Sequence, residues 1–211
     1  MWKGLEKMHE NQPKTSYMFM TLLDFSERFG AELVKETLAA FRCEKNQAVE
    51  NFLRENAMDF SRKRQSITYV VLRQSDMQLV GYFSIIVKPL SVPAAMISKT
   101  LAKRIARVGE LDPGTGMYST AAYLIAQLGK NSALPKEDRI SGSDLLHLAM
   151  QEIEKISWQV GGTVQFLECE DVEFLRHFYL KNGFTWLGAR TDGFDENEQP
   201  FILHQYIRKI D

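Results

Sequence analysis

Residues 139–144 read Arg139-Ile140-Ser141-Gly142-Ser143-Asp144, and the stretches on either side of them decide the fold. Before them, Tyr118 to Leu128 is nearly all apolar or small, the pattern of a strand buried on both faces. After them, Leu145, Ala149, Ile153, Ile156 and Val160 recur at helical spacing, with Glu152, Glu154 and Lys155 on the outer side. Ser141 and Asp144 form an S-x-x-D capping box, and Gly161-Gly162 stops the helix. Thr163 to Cys169 reads as the next strand. Strand, helix, strand in that order is a βαβ unit, so the two strands should lie parallel and adjacent.

Working outward toward the C-terminus, Val172 to Asn182 is a second helix, closed by Gly183 with Phe184 placed for the usual apolar contact. Trp186 to Ala189 and Phe201 to Ile207 follow as strands. Toward the N-terminus, Ser98 to Val108 has helical character and Asp112-Pro113-Gly114 is a turn. Ile67 to Leu72 and Leu79 to Val87 form an antiparallel hairpin that Pro89 should end. Glu32 to Phe41 and Glu44 to Arg64 carry helical spacing. Residues 1–16 read as a flexible arm, leaving 17–211 as one domain. The class is α/β, a mixed sheet flanked by helices.

Composition limits the function. The 211 residues and 45% apolar content suit one full core. A net charge of -1 argues against nucleic-acid binding by the whole surface, though not by a local patch. Cys43 and Cys169 read as reduced thiols, and no Cys/His spacing suggests a metal. Residues 1–16 lack the apolar core of a secretory signal, and the longest apolar run, Ala121 to Ala126, is far below the roughly 20 residues of a membrane helix. A cytoplasmic protein without membrane contact is expected.

The segment Arg139 to Asp144 joins a buried strand to a helix start, where free backbone N–H groups and the helix dipole favour phosphate. Gly142 removes a side chain at the approach and Arg139 offers a charge-assisted contact. An ordinary capped helix would show the same residues. The combination of Arg139-x-x-Gly142-x-Asp144 with Phe178-Tyr179-x-x-x-Gly183-Phe184, in this strand order, resembles the GNAT acetyltransferase family over about residues 41–207. Two positions depart from it: Asp144 stands where Gly or Ala is usual, and Val172 where many members place Asn.

The resemblance implies a GNAT fold with a βαβ acetyl-CoA-binding core, and a transferase that moves acetyl from acetyl-CoA to a primary amine by direct attack. It implies that Leu128, Gly129 and Lys130 hold the pantetheine arm and acetyl carbonyl. Amides of Ile140, Ser141, Gly142, Ser143 and Asp144 would bind pyrophosphate, with Arg139 beside them. Tyr179 would be the general acid to the thiolate. Its place at the edge of an apolar stripe agrees, as it would for a core tyrosine with a satisfied hydroxyl. Glu168, Glu170 and Asp171 read as cap or solvated residues, and Cys169 as strand packing.

A narrower resemblance rests on Phe41-x-Cys43, Phe52-Leu53, Ala57 and Thr68-Tyr69-Val70, which is similar to GNAT toxins that acetylate aminoacyl-tRNA. Lys99, Lys103 and Arg107, spaced i, i+4, i+8 beside Arg104, would make a basic stripe if helical, facing RNA or solvent. The acceptor thus stays open among a small molecule, a protein amine and aminoacyl-tRNA. A homodimer, and on the toxin reading an antitoxin, are the compatible partners. A non-catalytic acyl-CoA-binding domain is the reading from another class.

Overall fold

The computed structural model describes residues 16–194 and 198–210; the expected arm, Ser16 apart, lies outside them. A sheet of eight strands runs through the molecule: β1 (Tyr17–Thr21), β2 (Ile67–Arg73), β3 (Leu79–Pro93), β4 (Glu110–Asp112), β5 (Met117–Lys130), β6 (Val164–Cys169), β7 (Thr185–Phe194) and β8 (Pro200–Lys209). Their order is β1-β2-β3-β5-β6-β8-β7, with β4 paired to β5. Every pairing is antiparallel except β5 with β6, the parallel pair that the βαβ pattern predicts.

One face carries α6 (Gly142–Val160) and α7 (Glu173–Lys181), over a core of Ile125, Leu145, Ala149, Ile153, Leu167 and Phe184. The other face is divided. Over β1 to β3 it carries α1 (Leu22–Phe29), α2 (Ala31–Ala40), α3 (Gln47–Asn51) and α4 (Ala57–Arg62), the last two joined by a π-helical turn. Toward β6 to β8 it carries, among the described residues, α5 (Lys99–Ile105), whose Ile105 joins Leu90, Leu124, Phe166 and Leu187.

Four expectations need correction. β3 does not stop at Pro89 but continues to Pro93, with Pro89 opposite Ala121. Its pairing to β2 ends at Ile85, so the rest of β3 is an edge, where a missing N–H is tolerated. Glu152, expected outside, is buried, because the Tyr69 hydroxyl of β2 reaches up to bond it while Lys155 Nζ lies 3.4 Å away. Val160, expected inside, is exposed, since the last turn of α6 leaves the core. The first half is also not purely helical before Ile67: Tyr-Met-Phe-Met-Thr forms β1, with all five residues half-buried and hence no alternation to read.

Candidate active site

β5 has two different edges. One is paired to β3 along its length; the other meets β4 at Met117–Ser119, then β6 at Tyr123–Ile125, and beyond that no strand among the described residues. A bulge at Ala126, opposite the Ser84/Ile85 step of β3, bends β5 away from β6 at that point. Leu128, Gly129 and Lys130 therefore line an opening in the sheet. Gly129 is fixed by packing: a Cβ there would stand 2.6 Å from the Tyr82 ring and 2.7 Å from Val49. The chain then turns at Asn131, which is buried and donates to Leu79 O at 2.9 Å while accepting from Ala133 N and Arg42 N.

Across the opening stands the start of α6. Ser141 caps it, accepting from Asp144 N at 3.0 Å. Asp144 folds back onto the Ser141 side chain and not onto its backbone N–H, so only half of the expected capping box forms: the carboxylate accepts from the Ser141 hydroxyl at 2.7 Å. Among the described residues, the amides of Ile140, Ser141, Gly142 and Ser143 have no hydrogen-bond partner. They form a row of donors suited to an anion.

Two expected details differ. Arg139 does not reach toward that row: its guanidinium donates to Leu134 O at 2.7 Å and to Ser132 O, bracing the loop. Gly142 is small because of α7, since a Cβ would lie 3.3 Å from the Phe178 ring. Carboxylates also sit close by, with Asp138 held by Arg73 at 2.6 Å.

α7 forms the other wall. Val172 precedes it with no side-chain cap, and the helix closes on Gly183 with Phe184 N bonded to Tyr179 O, a Schellman ending. Tyr179 is the buried residue of this helix, packed among Phe178, Phe184 and Tyr206 at 5.1, 6.1 and 5.6 Å between ring centroids. Its hydroxyl has no hydrogen-bond partner among the described residues, and burial pushes its pKa far above the usual phenol value. Cys169 shares this apolar pocket; burial, then Asp171 and Glu170, push its thiol up to about 11. It is a neutral packing residue, as the sequence suggested, and both cysteines are free.

The opposite face of the same strands holds a cleft of about 480 Å³, lined by Lys88, Pro89, Phe166, Glu168, Leu187, Arg190 and Gln205 among others. Glu168 is locked there. Arg190 grips both its oxygens at 2.7 and 2.8 Å, and Gln205 adds a third bond at 2.8 Å. Burial would raise its pKa, but these bonds outweigh it and hold the carboxyl below its usual range. Asp171 is tied to Arg176 at 2.6 Å, so neither acid caps α7. No sequence signal marked Arg190 or Gln205, because both meet Glu168 only through strand pairing. The bulge at Ala126 was equally silent.

Of the basic stripe, Lys99 and Lys103 are exposed on α5, and Arg107 lies in the turn beyond its end. Arg104 points inward to Ile210 O. Among the described residues no group of acids, histidines and cysteines could hold a metal, and no helix is long and apolar enough to cross a membrane.

No protein-family model and no curated protein matches the chain. Solved structures do match it along nearly its whole length. It is similar to AtaT complexed with acetyl-methionyl-tRNAfMet (TM-score 0.61, 19% identity, 90% of this chain and 94% of that one). It is similar to a tyrosine-to-phenylalanine mutant of KacT (TM-score 0.61, 18% identity, 93% and 96%). AtaTR bound with AcCoA matches with TM-score 0.53 at 17% identity, over 92% and 93%. The fold is therefore the GNAT fold that the two motifs predicted.

Proposed function

We propose that the protein is an acetyl-CoA-dependent N-acetyltransferase that acts on a primary amine. The observation that carries this reading is Tyr179, the buried residue of α7, the helix that follows β6, whose hydroxyl is bonded to no group among the described residues. The residues present fit the cosubstrate: free amides at the start of α6 suit its pyrophosphate, and the unpaired edge of β5 suits its pantetheine amides. Bound there, acetyl-CoA supplies a thioester whose carbonyl carbon an amine attacks, the C–S bond breaking to release a thiolate.

The chain's part is orientation and charge. The free β5 edge at Leu128, Gly129 and Lys130 offers backbone groups to the pantetheine arm and the carbonyl oxygen. Tyr179 donates to the sulfur. A thiol's pKa is about 8.5 against about 10 for a free phenol. Burial widens that gap, so Tyr179 acts by hydrogen-bonding the sulfur as negative charge builds, and gives up its proton late. Glu168, already saturated by Arg190 and Gln205, is a poor base, and the amine's proton leaves to solvent through the cleft.

The neighbours favour one acceptor within this reading. AtaT, complexed with acetyl-methionyl-tRNAfMet, aligns over 90% of the chain, and Lys99, Lys103 and Arg107 stand exposed on the cleft side of the sheet. On that reading the acceptor is the amino group of an aminoacyl-tRNA, and an antitoxin and a second copy of the chain are partners. Another neighbour is a toxin mutant bound to the C-terminus of the antitoxin AtaR and acetyl-CoA.

The test is incubation with labelled acetyl-CoA and separate pools of charged tRNA, polyamines and protein extract. Label entering one pool identifies the acceptor. Acetyl-CoA binding without transfer to any pool would leave a binding domain and sink the enzyme reading. A second measurement reports the site: acetyl-CoA at 100 times its Kd should stabilise the fold by about 2.7 kcal/mol. Gly142→Glu, which puts charge and bulk against Phe178 at the row of amides, should abolish that shift.

A further inference from the structure

We propose that Lys45 and Phe174 form a clasp over the opening between β5 and β6, and that the Lys45 ammonium supplies a phosphate-binding cation in the place of Arg139, which the loop before α6 holds back. This rests on the acetyl-CoA reading above and extends it to residues outside both sequence motifs. The row of amides from Ile140 to Ser143 needs a cation beside it, because Asp144 and Asp138 bring negative charge to the same corner. Arg139 is committed to the carbonyls of Leu134 and Ser132, and Arg73 to Asp76 and Asp138.

Lys45 answers that need by position. Its turn is stapled to the end of β5: Arg42 N donates to Asn131 Oδ1 at 3.2 Å, Glu44 N to Ser132 Oγ at 3.1 Å, and Ser132 N to Arg42 O at 2.8 Å. Its ammonium lies 5.3 Å from the centroid of Phe174, which stands in the first turn of α7, the helix that follows β6. The contact thus joins the β5 side of the opening to the β6 side where the strands part. Phe174 stacks on Phe178 with centroids 6.2 Å apart, and Phe178 covers Gly142 at the head of α6. One chain of contacts therefore leads from Lys45 to the row of amides. It also accounts for a phenylalanine that is 64% exposed. A lysine's long flexible stem can stay on a ring while its head turns to a phosphate oxygen.

The experiment uses the full chain and coenzyme A as the probe, by titration calorimetry at two salt concentrations, with thermal melts confirming the fold of each variant. Lys45→Met keeps the stem and removes the charge. It should weaken coenzyme A binding about 5- to 20-fold at low salt, the range of one charge-assisted hydrogen bond, and flatten the salt dependence. Lys45→Arg should retain most of the affinity. Phe174→Leu should cost about 2- to 5-fold, as an exposed ring under a cation contributes modestly. A parent that binds and a Lys45→Met variant within twofold of it at both salt concentrations would overturn the clasp alone. A parent that does not bind coenzyme A would overturn the acetyl-CoA reading, and the clasp with it.

Discussion

Glu168 and Cys169 are neighbours on β6 and live in opposite worlds. Cys169 faces α7, in an apolar pocket with Tyr179 and Tyr206 where thiol and phenol are held neutral. Glu168 faces the cleft on the far side, with both oxygens gripped by Arg190 and Gln205 and its charge held firmly. Strand alternation places the two environments one residue apart. The difference teaches which group is ready for chemistry. A donor with no partner can respond to a developing charge, whereas a carboxylate with three bonds already made is structural scaffolding.

The sharpest way to break this contrast is Tyr179→Phe. The ring and its packing stay while the hydroxyl goes. Loss of a general acid costs about 10²- to 10⁴-fold in rate, and kcat should fall within that range. Acetyl-CoA affinity should change less than about 5-fold, because the interaction strengthens as the thiolate forms. Near-normal kcat with chemistry rate-limiting would return Tyr179 to the core.

Glu168→Gln should do the reverse. It leaves Arg190 half-buried with one charged partner, Asp192 at 2.7 Å. Stability should drop by roughly 1–3 kcal/mol. For a chain of this length that corresponds to about 2–4 °C of melting temperature per kcal/mol. Turnover at a temperature where the variant is folded should stay within about tenfold of the parent, the reach of a modest geometric change. A loss beyond about 100-fold with an unchanged melt would make Glu168 the base after all.

The two faces should also fail at opposite ends of the pH scale. Cys169 keeps its proton in the folded state up to about 11, against an ordinary 9.0, so its contribution is intact below 9.0 and lost as pH rises toward 11. Tyr179, raised likewise, adds to that alkaline limb. Glu168 is lowered, so its contribution is intact above its ordinary 4.5 and lost as pH falls through its folded value. Urea midpoints across pH should show both limbs. Cys169→Ala should lessen the alkaline limb and Glu168→Gln the acid one, each in part, because other tyrosines and carboxylates are shifted the same way; limbs unaffected by these changes would refute the assignment.

The smallest effect concerns the cleft face as a whole. Replacing Lys99, Lys103 and Arg107 together by Ala should leave coenzyme A binding unchanged. On the aminoacyl-tRNA reading, it should weaken tRNA binding and reduce its salt slope by about 2–3, close to one for each phosphate that the variant leaves without a cation. An unchanged slope would leave the three as solvated surface.

Much of the fold around this candidate site is legible in the sequence. Periodicity located β5, α6, β6 and α7, and the spacing of Gly142, Tyr179 and Gly183 pointed to the family fold. Those signals are local: a capping box, a helix stop and a buried strand each need only a few consecutive residues. Arg139 shows where such reading fails. Its motif position suggested an anion contact, yet the carbonyls of its own loop claimed it, an outcome set by backbone path and not by residue type. Glu152 was misplaced for a similar reason, since its partner Tyr69 comes from β2, more than eighty residues away.

The sequence by itself determined the elements and their order, hence a parallel β5–β6 pair joined by α6, because hydrophobic period and turn chemistry are written in neighbouring residues. Only the tertiary structure decided what each polar group does. It bent β5 at Ala126 to open the sheet, paired Glu168 with Arg190 and brought Lys45 to Phe174. Those outcomes depend on strand register and on contacts between residues distant in the chain. A charge's role follows from the partner that folding delivers to it, and no local pattern specifies that partner.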